Sequence, residues 1–121
     1  MKSILYILLA LVVSLSSMTS QAVVMTSNVG IASWYGHPYH GRRTASGEIY
    51  DQNAMTAAHP SIRFGTLVTV TDIKSGRQVT VRINDRGPFV AGRIIDLSYR
   101  AAQELGIDRQ GMAKVRLGLV V

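Results

Sequence analysis

The stretch "LVTVTDIKSGRQVTVRINDRGPF", residues 67–89, decides the fold class. Leu67–Thr71 is rich in β-branched residues, and Val81, Arg82 and Ile83 alternate apolar with polar, the two-residue period of strands with one buried face. Between them, Asp72-Ile73-Lys74-Ser75-Gly76 has the composition of a hairpin connection, with Gly76 able to take a positive φ. Strands are therefore expected over Leu67–Thr71 and Arg77–Asn84. The second one ends on Asp85, flanked by Asn84 and Arg86, as the chain turns through Arg86-Gly87-Pro88. A bare turn needs a carboxylate there only for local hydrogen bonds. Asp85 is thus either a turn residue or an acid with chemistry to perform.

Outward from this hairpin the pattern stays β. Gly30–Tyr35, "GIASWY", suits a first strand, and "GRIIDL", Gly92–Leu97, another. Ser98 can cap a helix running through Leu105, with Ala101, Ala102 and Leu105 on one face and Gly106 beyond its end. Met112–Val121 alternates again and reads as a terminal strand. Gly36–Asn53 reads as a long loop whose aromatic residues argue for order. Several short strands, one short helix and no βαβ rhythm suggest a small, mainly β closed barrel.

The 121 residues fit a single domain. Residues 1–22 stand apart: Lys2 precedes an apolar run, Ile4–Val13, which gives way to Ser20-Gln21-Ala22, small residues at a plausible cleavage site. The run is shorter than the roughly 20 residues that span a bilayer, so it reads as a signal peptide of an exported, periplasmic or secreted protein. Residues 23–29 form a short lead-in, and 30–121 the barrel domain. The chain has no cysteine, which excludes disulfides, thiolate metal sites and a lipid anchor on an N-terminal cysteine. Its formal charge of +6 would suit a polyanion. The basic residues are scattered, however, and an exported protein meets envelope polymers rather than nucleic acid.

Elimination narrows the chemistry. His37, His40 and His59 show no metal-ligand spacing, so no metal site is expected. No serine sits in a nucleophile elbow, and neither a phosphate-binding loop nor a dinucleotide fingerprint is present, so no cofactor is expected. Glu48, Asp51, His59, Asp85 and Asp96 are the titratable groups that look placed. Asp51 reads as a turn closer and Asp96 as a structural hydrogen-bonder. Asp85 beside Glu48 or His59 would suit acid–base cleavage of a glycosidic bond. Trp34, Tyr35, Tyr39 and Tyr50 offer aromatic faces for sugar, although Trp34 reads first as a core residue. On residues alone, the reading goes no further than an exported small β domain with groups that would suit work on glycans.

Taken together, "GIASWYG", "HGRRTASGEIYD", "TAAHPSIRFGTLVTVTD", "VRINDRGPF", "GRIIDLSYRAAQELG" and "GMAKVRLGLV" resemble the rare lipoprotein A (RlpA) family, over essentially all of residues 30–121. The resemblance implies a six-stranded double-psi β-barrel with one short helix. It also implies an endolytic lytic transglycosylase, a lyase of peptidoglycan glycan strands that leaves 1,6-anhydro-muramyl ends. On it, Asp85 is the catalytic acid, Glu48 and His59 support it, and Trp34, Tyr35 and Arg86 become substrate contacts, with Arg86 turned away from Asp85 towards glycan or solvent. The protein is expected to work as a monomer. Missing from this sequence are the family's frequent lipidated cysteine and its appended glycan-recognition domain. Expansin- and barwin-like proteins share the barrel, so a non-catalytic module that binds or loosens polysaccharide is the rival reading.

Overall fold

A computed structural model of the chain describes residues 28–120. The expected signal peptide, residues 1–22, and most of the expected lead-in lie outside the described residues. Six strands run β1 Val29–Tyr35, β2 Thr56–Ala58, β3 Leu67–Asp72, β4 Gln78–Asp85, β5 Arg93–Ser98 and β6 Ala113–Leu119, and one helix, α1, spans Tyr99–Leu105. They close into a barrel in the order β1-β5-β2-β4-β3-β6, with β6 returning to β1. The pairs β1–β5 and β2–β4 are parallel and the others antiparallel. This is the six-stranded double-psi barrel that the resemblance implies.

The hairpin forms for the reasons its sequence contains. Val68 faces Val81 and Val70 faces Val79 across the ladder, and all four are buried. Asp72 holds the turn: its carboxylate accepts from the Lys74 amide and the Ser75 hydroxyl, and Gly76 takes the left-handed conformation at φ 78°. Helix α1 starts where Ser98 Oγ accepts from the Ala101 amide and ends at Gly106, φ 83°. Its Ala101, Ala102 and Leu105 are fully buried against a barrel interior of Val68, Val81, Ile83, Ile95, Leu97 and Val115.

Both parallel pairings carry an irregularity, and these position the site. Opposite β2, Ala57 faces Ile83 but Ala58 faces Asp85, so Asn84 is an extra residue. Opposite β1, Ile31 faces Arg93 but Ala32 faces Ile95, so Ile94 is extra. Such bulges re-aim the residues that follow them. Strict alternation from Val79, Val81 and Ile83 would send Asp85 inward. With the bulge, Asn84 is buried instead and Asp85 is only half-buried, at the barrel rim.

Candidate active site

A groove of about 670 Å³ opens at this rim. Trp34 and Tyr35 enter it from the end of β1, Asp85 and Arg86 from the end of β4, and Arg93 and Asp96 from β5. The loop after β1 forms a further wall through Tyr39, Arg42 and Arg43. That loop is ordered, as its aromatics suggested. It holds a short 3₁₀ turn at His37–Tyr39 and a bridge between Arg43 and Ile49, and Tyr50 is buried beneath it. His40 Nδ1 accepts from the Gln52 amide, and the Asp51 carboxylate accepts from the Asn53 amide, both local loop bonds.

Asp85 is anchored by one oxygen. Its Oδ1 accepts from the backbone amides of Ala45 and Arg86, each at 2.9 Å, while Oδ2 has no hydrogen-bond partner among the described residues. The turn that begins at Arg86 therefore supplies one tether, and the long loop supplies the other. One carboxylate oxygen is thus fixed and the second is left for the groove.

Glu48 and His59 do not line the groove; each acts on a neighbour of the Asp85 carboxylate. Glu48 chelates Arg82 at 2.5 and 2.9 Å and accepts from Asn84 Nδ2 at 3.3 Å. The Arg82 and Asn84 hydrogen bonds hold its carboxyl below the usual range, so it is an anion rather than a proton donor. The contact ties the loop carrying the Ala45 amide onto β4. The buried His59 ring caps a turn, its Nδ1 accepting from the Ser61 and Ile62 amides at 3.1 Å each. Burial, and then the nearby Arg86 charge, push its pKa below the ordinary histidine value. Its backbone amide donates to the Asp85 carbonyl at 3.2 Å.

The Arg86 guanidinium makes no hydrogen bond to the Asp85 carboxylate among the described residues, but it reaches the Asp85 carbonyl at 3.5 Å, and its destination differs from the expected glycan or solvent. Nη1 donates to the carbonyls of His59, 3.2 Å, and Ile62, 2.7 Å, and the group lies 4.0 Å from the Phe64 ring centre. Trp34 serves both of its possible roles: it lines the groove while packing on Tyr99 and the core. Tyr35 stacks on Tyr50 with centroids 4.4 Å apart. Burial first, and then the charge of Asp85, hold its hydroxyl well above the usual tyrosine range, so it stays protonated.

The groove also contains a second carboxylate. Asp96 Oδ1 accepts from Ser33 Oγ and from Arg93 Nη2, in the structural role its sequence position suggested, yet it also lines the groove. Ser33 and Asp96 are register partners across β1 and β5. Sequence reading missed Arg93 and the groove-facing role of Asp96 because this pairing joins strands about sixty residues apart. The only local signal was a polar residue between Ile95 and Leu97.

A family model described as lytic transglycolase matches residues 27–117. A probable endolytic peptidoglycan transglycosylase RlpA from Synechocystis is 50% identical over 109 residues, covering 90% of this chain and 34% of that protein. The endolytic peptidoglycan transglycosylase RlpA of Campylobacter jejuni is 54% identical over 91 residues, covering 75% of this chain and 33% of that protein. The chain thus spans about a third of the length of these curated relatives. Among solved structures, a Streptomyces papain inhibitor superposes with a TM-score of 0.64 at 21% identity, over 80% of this chain and 97% of that one. The expansin of Clavibacter michiganensis does so with a TM-score of 0.61 at 23% identity, over 77% of this chain and 50% of that one. These two similarities are of fold.

Proposed function

Because the chain belongs to the lytic transglycolase family, we propose that its barrel cleaves peptidoglycan glycan strands as an endolytic lytic transglycosylase outside the cytoplasm. The observation that carries this reading is Asp85: a carboxylate in an aromatic-walled groove, one oxygen tethered by two amides and the other unpartnered within the described protein. Such an acid is oriented for proton transfer to a bound glycan.

Protonated Asp85 gives its proton to the oxygen joining muramyl C1 to the next N-acetylglucosamine, and the C1–O bond breaks. The resulting carboxylate takes the proton of the muramyl C6 hydroxyl as that oxygen closes on C1. The products are a free hydroxyl and a 1,6-anhydro end; no water is consumed, and Asp85 regains its proton. A nucleophile within the substrate has an effective molarity on the order of 10⁵ M or more when well aligned. Glu48 and His59 serve as positioning residues, the first through the Ala45 loop and the second through the turn that meets Asp85. Trp34 and Tyr35 contact the sugar. Arg86 supports the same turn through its bonds to the His59 and Ile62 carbonyls.

The test is digestion of purified sacculi by the exported protein, with products read by mass spectrometry. Anhydro-ended muropeptides are expected from wild type. Asp85→Asn keeps the amide-accepting oxygen and the fold but is expected to lose at least about 10³-fold in rate. Binding to sacculi with no anhydro product would assign the protein to the non-catalytic, wall-loosening class instead.

A further inference from the structure

Tyr35 presents a donor that no described residue receives. Its hydroxyl oxygen is buried and has no hydrogen-bond partner within the described residues. The ring cannot swing away to find one. It is stacked on Tyr50 at 4.4 Å and 28°, meets the edge of Tyr39 at 5.9 Å, and its backbone carbonyl accepts from the Tyr50 hydroxyl. Tyr50 is itself fixed, because its hydroxyl oxygen accepts from the Tyr99 amide. The tyrosine shares the groove with Asp85 and Asp96, and both carboxylates oppose its ionisation, so the hydroxyl keeps its proton. A desolvated hydroxyl without a partner is costly, and the cost is recovered only when an acceptor arrives.

Resting on the transglycosylase reading, we propose that the Tyr35 hydroxyl is a second catalytic donor, which hydrogen-bonds the glycosidic oxygen that Asp85 protonates. Negative charge builds on that oxygen as its bond to C1 breaks. A fixed donor aimed at developing charge in a low-dielectric site stabilises the transition state more than the ground state. Tyr35 keeps its own proton throughout, and the proton that leaves with the product comes from Asp85. Only Oδ1 of Asp96 is taken, by Ser33 and Arg93, and no hydrogen bond joins Tyr35 to either groove carboxylate among the described residues, so a bound substrate is the acceptor assigned to Tyr35.

Tyr35→Phe is the test, because it retains the stacked ring and removes only the hydroxyl. Its Tm is expected to equal or exceed that of wild type, since an unsatisfied buried group is lost. On glycan strands kcat falls about 100-fold, with KM changed by less than about twofold. On a muramyl substrate carrying a nitrophenol leaving group, whose oxygen needs little help to depart, the deficit shrinks to less than about threefold. A lower Tm, a loss confined to KM, an equal loss on both substrates, or no loss would each overturn the proposal. Absence of anhydro products from the wild-type digest would instead remove the transglycosylase reading, and this proposal with it.

Discussion

His59 illustrates how a residue type points to chemistry while its surroundings assign a different task. Nδ1 accepts two amide hydrogens, so the ring proton sits on Nε2 and the imidazole is neutral. Protonating Nδ1 would break both bonds and add charge beside Arg86. Burial, and then the Arg86 charge, hold the folded pKa below the ordinary value of about 6.5. A depressed histidine pKa means that the unfolded chain binds the proton more readily, so the associated stability is present above about pH 6.5 and is lost as the pH falls. Wild-type Tm is expected to decline between pH 7 and pH 5. His59→Asn, whose side-chain oxygen accepts from the same amides without titrating in this range, should stay flat. Parallel declines in both proteins would refute this account. The Glu48 carboxyl, held low by Arg82, titrates below this window and does not confuse the reading.

The elements show where local chemistry sufficed and where it ran out. The β3–β4 hairpin and the capped helix α1 were legible because their determinants are contiguous: Asp72 and Gly76 in the turn, Ser98 and Gly106 at the helix ends. Strand β2 was not legible residue by residue, since Thr56–Ala58 is too short to show a period. The six-strand count came from the family resemblance. Neither bulge has a local signature, because each depends on which distant strand lies opposite, and so the half-buried setting of Asp85 was invisible. Glu48 was recognised by its motif, but not its means of action through the element that carries it. The Glu48–Arg82 pair is exposed, and pairs of that kind contribute at most about 1 kcal/mol. Glu48→Gln should therefore leave Tm nearly unchanged. It should cost about tenfold in kcat, because the loop delivering the Ala45 amide to Asp85 loses its tether to β4. Unchanged kcat would leave the Glu48–Arg82 pair without a catalytic role.

At the scale of the molecule, a chain without cysteine must hold its rim geometry by packing and hydrogen bonds, with no disulfide to help. Closure of the barrel removes free sheet edges, and α1 lays its apolar face on β1, β4 and β5, the strands that deliver the groove residues. The acid is thus carried on rigid elements while the loop wall is tied down by hydrogen bonds. Leu105 separates the two contributions, because it is fully buried in the core yet does not line the groove. Leu105→Ala removes a packed side chain and leaves a cavity, at a cost of about 2–5 kcal/mol. In a domain of this size each kcal/mol lowers Tm by about 4–8 °C. The variant should melt at least about 8 °C below wild type, yet cleave at nearly the wild-type rate at temperatures well below its transition. If kcat fell at 15 °C, where the fold persists, the helix would be coupled to the positions of Asp85 and Tyr35, and the core could no longer be treated as a passive support for the site.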